Sequence, residues 1–225
     1  MALKNDMKLW QIKEFLEEEV KEQIFLEVAP ILYIGQEVGG YFGVTRQILS
    51  YFEFLGALYK GYNGRDKYPN GAKKIATPKK SISFIEDILG TIDSMYRENG
   101  KYLYTMYRNG LVHLYQPRTI KLQNDRVLKW AAYKGARERA TINFKTDSGD
   151  FSIQNVRHLG ISVDPSHKVS DFLTVSITCL YKDLLTAVDK YYELLEGGQS
   201  LVQLWCTTAN AILTPEEHSI IGGDK

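Results

Sequence analysis

The sequence of 225 residues predicts a mainly α protein, an antiparallel helical bundle with a small β-hairpin insertion at about residues 138–163. Two observations carry that prediction. Apolar residues recur at three- and four-residue spacing through several long segments, the mark of amphipathic helices. One stretch, ERATINFKTDSGDFSIQNV, instead alternates through Ile142 and Phe144, then Phe151 and Ile153, around Asp147-Ser148-Gly149-Asp150, which is hairpin patterning.

The first helix is expected over Met7–Val28, where Leu9, Ile12, Phe15, Leu16, Val20 and Ile24 fall on one face. Glu17, Glu18, Glu19, Lys21 and Glu22 form its solvated side, and Pro30 is expected to end or bend it. After a glycine-containing segment a second helix runs over Val44–Tyr59, with room to start earlier. Residues 61–74, GYNGRDKYPNGAKK, read as a loop, because two Asn-Gly pairs and Pro69 share one short stretch. Ser81–Arg97 is helical again through Ile82, Ile85, Ile88, Leu89 and Ile92. HLGISVDP is expected to extend the small sheet before Pro165. The strongest helix is expected from Asp171 to Glu196, capped by Ser170 and stopped by Gly197-Gly198. Ser200–Leu213 follows as a helix, and Thr214-Pro215-Glu216-Glu217 has a capping-box pattern before a frayed tail at 218–225. These elements form a single domain over 1–225, with a helical core at about 7–130 and 170–214.

Bulk properties narrow the function classes. The chain is 44% hydrophobic and 24% charged with a formal net charge of +1. A nucleic-acid site must therefore be a local patch. Cys179 and Cys206 are isolated, so a structural zinc site is not expected, and free thiols suit a reducing cytoplasm. Neither a secretory leader nor a run of about 18 apolar residues is expected, which reads as a cytoplasmic protein.

YRNGLVHLYQPR, residues 107–118, holds the chemistry and has two readings. Asn-Gly flanked by β-formers suits a hairpin turn, leaving Arg108 and His113 ornamental. A helix from about Lys101 through Leu114 instead places Tyr104, Tyr107 or Arg108, Leu111 and Leu114 on apolar rows, with Gly110 costing about 1 kcal/mol relative to Ala. On that helix Asn109 and His113 share a face, while Arg108 lies about 140° from His113 and must curl or act in a shared cleft.

Arg108-Asn109-x-x-x-His113 resembles the R-x(4–6)-H motif of the HEPN superfamily, including the polar residue after the arginine. The resemblance spans about residues 40–198 and implies a HEPN-like bundle, a homodimer with a shared cleft, and no metal or other cofactor. In catalytic members, of toxin or defence type, it implies RNA cleavage by 2′-hydroxyl attack. Arg108, Asn109 and His113 are then the catalytic candidates. His113 suits general acid/base work because its reference pKa is near neutrality, and Arg108 suits bidentate hold on phosphorane oxygens. Glu53 is a possible auxiliary acid from the preceding helix. Lys73, Lys74, Lys79, Lys80, Arg118 and Lys121 are the candidate RNA contacts. The competing expectation is a non-catalytic binding or scaffold protein with an unknown protein partner, in which Arg108 and His113 are structural. His158, His167 and His218 receive no role.

Overall fold

The computed structural model describes residues 2–33, 40–61, 77–108, 110–111, 116–145, 149–165 and 169–213. A continuous helical rod opens it: α1 (Leu9–Glu14), a π-helical segment (Phe15–Lys21) and α2 (Glu22–Tyr33). Ile12, Phe15, Leu16, Val20, Ile24, Val28 and Leu32 are buried along it. Pro30 does not end this rod, which continues to Tyr33. α3 (Tyr41–Lys60) begins after Gly40, whose φ of 78° favours glycine. The predicted 61–74 loop lies, apart from Gly61, outside the described residues.

The expected single helix over Ser81–Arg97 is broken. α4 (Thr77–Asp87) gives way to a 3₁₀ turn at Leu89–Thr91, and α5 (Met95–Leu103) restarts beyond it. Asp93 directs the break: its carboxylate accepts the Met95 N–H at 3.0 Å, a side-chain bond to an early helical donor that needs the chain to leave the helix. A π-helical segment at Tyr104–Arg108 prolongs α5, and residues 110–111 are helical too. The hairpin reading therefore fails across 101–108 and 110–111. A Cβ on Gly110 would collide with the backbone of Gln116, Pro117 and Arg118, so the returning chain needs a glycine there.

The second half of the chain corrects the expected mainly helical bundle. Among the described residues six strands form two sheets, and the fold is mixed α/β. β1 (Ile120–Lys121), β2 (Val127–Tyr133), β5 (Ile161–Val163) and β6 (Ser170–Ser176) assemble in the order β1-β2-β6-β5. β2 and β6 are parallel over their full length, Val127 opposite Ser170 through Tyr133 opposite Ser176. β3 (Ala140–Phe144) and β4 (Phe151–Val156) pair separately as the predicted hairpin, with Ile142 opposite Ile153 and Phe144 opposite Phe151. The HLGISVDP strand, β5, joins the four-stranded sheet and not the hairpin.

Alternation along β2 and β6 separates two cores. Leu128, Leu173 and Val175 face the helices, where they join the main apolar cluster with Trp130 and Ala132. Ala131, Tyr133 and Phe172 face the hairpin and pack with Ile142, Ile153 and Val156. Phe144 stacks on Phe151 at 4.7 Å and on Phe172 at 5.1 Å. The result is helices, sheet, then hairpin.

α6 (Ile177–Glu196) starts six residues later than expected, because Ser176 and not Ser170 is its N-cap, its hydroxyl accepting the Cys179 N–H at 3.2 Å. Residues 171–176 belong to β6, buried at every position. A central strand covered on both faces reads as a continuous apolar run, which periodicity does not distinguish from buried helix. α7 (Gln199–Leu213) completes the helical layer with Trp205 fully buried against Phe15 and Tyr191. The capping pattern at 214–217 and the tail lie outside the described residues. No helix among the described residues is long and apolar enough to cross a membrane.

Candidate functional site

Arg108 ends the π-helical segment, one turn beyond Tyr104, and both side chains reach Glu53 on α3. Arg108 Nε donates to Glu53 Oε1 at 2.6 Å and Nη2 donates to Oε2 at 3.0 Å. Tyr104 donates its hydroxyl to the same Oε1 at 2.6 Å. The arginine and glutamate side chains are 23% and 19% exposed, so the pair is held at the surface but largely desolvated. Glu53's hydrogen bond outweighs burial and raises the Arg108 pKa, fixing the guanidinium as a cation. Burial, then the Glu53 carboxylate, pushes the Tyr104 phenol well above its ordinary range, so it is a permanent donor.

A guanidinium offers two bidentate edges. Glu53 occupies the side edge, Nε and Nη2. The end edge, built from Nη1 and the second hydrogen of Nη2, has no partner among the described residues. The carboxylate thus aims the arginine without using all of it.

The other predicted site residues separate. Asn109 and His113 lie outside the described residues, as do Lys73 and Lys74. Lys79 is exposed on α4. Lys80 is 2% exposed, and Gly56 of α3 abuts its backbone, where an added Cβ would stand 2.9 Å from the Lys80 carbonyl oxygen. As a phosphate contact Lys80 is withdrawn, because close helix packing has drawn it inside. Arg118 is exposed and its backbone N–H donates to Met106 O at 2.8 Å. Lys121 pairs with Asp125 at 2.6 Å on an open surface, an arrangement worth little. Among the described residues no group of three or more His, Cys, Asp or Glu is placed to hold a metal ion.

A second polar constellation was missed by sequence reasoning. His158, fully buried, accepts the Ser176 N–H at Nδ1 (3.1 Å) and lies 3.0 Å from the Tyr96 hydroxyl through Nε2. Tyr96 donates that hydroxyl to Asp183 Oδ2 at 2.7 Å. Its oxygen must then accept from the histidine, so the proton sits on Nε2. Arg137 bridges Asp183 (2.5 Å) and Asp93 (2.6 Å), and Arg157 adds a 3.0 Å bond to Asp93. The network ties α5, the turn before it and α6 to the β-layer. Burial, with Arg137 adding to it, pushes the His158 pKa down to about 3. For Arg137, burial is outweighed by Asp183 and Asp93, which hold the guanidinium above its ordinary value. Leu159, next to the histidine, is held at φ 57° by its N–H bond to Thr174 O and by Asn99, which donates to its carbonyl at 2.8 Å. One signal was legible: Asp183 falls three residues after Leu180 and four before Ala187, inside the apolar stripe of the last long helix. Tyr96 and His158 are both fully buried, and this network is a structural latch between layers.

No family model, curated protein or solved structure matches the chain.

Proposed function

We propose that the protein is an endoribonuclease that cleaves RNA without a metal ion, with Arg108 holding the scissile phosphate. The observation that carries the reading is the end edge of Arg108, without a partner among the described residues, beside a side edge already taken by Glu53. Two residues singled out on separate helices meet, and the meeting leaves the arginine aimed, charged and able to accept a second, phosphate-like oxyanion. Glu53 is a positioning residue. In the reaction the 2′-oxygen bonds to the adjacent phosphorus while the bond to the 5′-oxygen breaks. His113, five residues beyond Arg108, supplies the acid/base group that moves the proton from the 2′-hydroxyl to the leaving oxygen. Arg108 neutralises the charge that grows on the non-bridging oxygens. Asn109 orients the phosphate. The motif-level resemblance adds a homodimer to this reading, which sedimentation of the purified protein tests.

Purified protein incubated with RNA in EDTA is expected to leave 2′,3′-cyclic phosphate and 5′-hydroxyl ends. His113→Ala abolishes cleavage with the melting temperature nearly unchanged. Arg108→Lys keeps a cation for Glu53 but removes the second bidentate edge, so cleavage falls while the fold holds. If wild type never cuts RNA, the proposal is wrong.

The second reading, a non-catalytic binding or scaffold protein, is favoured by the same carboxylate: Glu53 and Tyr104 make Arg108 a clamp between α3 and the π-helical segment. It expects no cleavage by wild type and a large loss of stability in Arg108→Ala.

A further inference from the structure

At the start of α3, Gly40, Tyr41, Phe42 and Gly43 line a cavity of about 400 Å³ with Trp130 and Ala132 of β2. Its walls are aromatic. The Phe42 and Trp130 rings meet edge to face at 5.2 Å, and both side chains are only partly buried. The Lys134 ammonium lies 5.6 Å from the centre of the Tyr41 ring, placing a positive charge beside the aromatic wall. Among the described residues a Cβ on Gly43 would meet nothing within 4 Å.

The position of this cavity relative to Arg108 gives it meaning. Phe42 and Glu53 are eleven residues apart, about three full turns plus 20°, and so share one face of α3 about 16 Å apart. Arg46 and Ser50 lie on the same strip between them and are exposed. The Arg46 guanidinium has no partner among the described residues. Along α3, then, come an aromatic cavity with a lysine beside it, an arginine open to solvent, and the Glu53–Arg108 pair with its open edge. Aromatic faces for bases, interleaved with cations for phosphates, are what single-stranded nucleic acid requires. A duplex keeps its bases stacked and has none to offer such a cavity.

We propose that the Phe42–Trp130 cavity receives one unpaired base of a single-stranded RNA whose backbone runs along α3 past Arg46 to Arg108. This rests on the RNA-cleaving reading for its direction, but its test does not depend on cleavage. The probe is a short fluorescent single-stranded RNA with every 2′-hydroxyl methylated, which no 2′-hydroxyl attack can cut, titrated in EDTA and followed by anisotropy.

Wild type is expected to bind it and to bind the matching duplex at least tenfold more weakly. Trp130→Ala removes a stacking wall and weakens binding about tenfold or more, as loss of one base stack does. Gly43→Leu fills the cavity from a site with free space, and reaches the same loss with the melting temperature kept. It stands in for Trp130→Ala should that variant fold poorly. Arg46→Ala weakens binding and lowers the slope of log affinity against log salt by about one. Failure of wild type to bind, equal binding of the duplex, or unchanged binding by both Gly43→Leu and Arg46→Ala overturns the proposal. Cleavage of unmodified RNA with unchanged binding by these variants sinks the base cavity alone. Variant-sensitive binding with no cleavage sinks the nuclease reading alone.

Discussion

Acidifying the protein tests the His158 latch, and the sign of the effect comes from the geometry. The folded protein holds His158 neutral, with a pKa of about 3 against 6.5 for the ordinary side chain. The unfolded chain takes up a proton as pH falls through 6.5, while the folded chain does not. Stability is therefore full above pH 6.5 and is lost as pH falls toward the folded value. Each pH unit costs at most about 1.4 kcal/mol, and the unfolded histidine is already half protonated at pH 6.5, so the step from 6.5 to 5 removes a little under about 2 kcal/mol. Lower pH brings in the carboxylates with opposed signs. Burial raises the Asp183 pKa, which favours the folded state as protons bind, whereas Asp93 is held low by Met95, Arg137 and Arg157 against its burial and adds to the loss. A variant that keeps these carboxylates but lacks the imidazole isolates the histidine. Urea unfolding of wild type at pH 6.5 and 5 is compared with His158→Gln, whose amide is able to accept from Ser176 and donate to Tyr96 but does not titrate. Wild type should lose about 2 kcal/mol more than the variant across that step. Identical losses in both proteins would refute the neutral, Nε2-protonated assignment.

Arg137→Ala leaves buried Asp183 with the Tyr96 hydroxyl but no guanidinium and removes one of two guanidinium partners from buried Asp93, so urea unfolding should show a loss of about 3–5 kcal/mol; a loss under about 1 kcal/mol means the network does not hold the layers. Gly56→Ala forces a Cβ to within 2.9 Å of the Lys80 carbonyl, costing about 1–3 kcal/mol by overpacking, whereas Gly43→Ala on the same helix, with open space around it, should be neutral or stabilising by thermal melting. Glu53→Gln deletes the charge that aims Arg108. RNA cleavage should fall with only about 1–2 kcal/mol of stability lost, and undiminished cleavage would show that Glu53 positions nothing.

Local patterning made several features legible before any tertiary contact was known. The α1–α2 rod, α3, α7 and the pairing of Phe144 with Phe151 all follow from apolar periodicity, which reports one buried face without reference to what covers it. Glu53 and Arg108 were singled out from the motif and its neighbouring helix, yet their contact was not legible, because 55 residues separate them. Residues 171–176 were misread for a definite reason. A strand covered on one face by helices and on the other by a hairpin has no polar side, so DFLTVS resembles the start of the helix it precedes. The break at Asp93 was hidden for the opposite reason: Ile88, Leu89 and Ile92 keep helical spacing through a stretch where one side-chain hydrogen bond decides the backbone.

By itself the sequence determined where amphipathic faces lie and where the hairpin turns, since these depend on spacing along the chain and on side-chain type. Only the tertiary structure decided that β2 and β6 run parallel as neighbours and that Lys80 is inside. It alone decided that burial, with Arg137 close by, keeps His158 neutral and that Glu53 takes one edge of Arg108 while the other meets no partner among the described residues. Those outcomes depend on burial and on partners far along the chain. Desolvation and hydrogen bonding act through space, so the ionic state and the available edge of a side chain are properties of the folded neighbourhood.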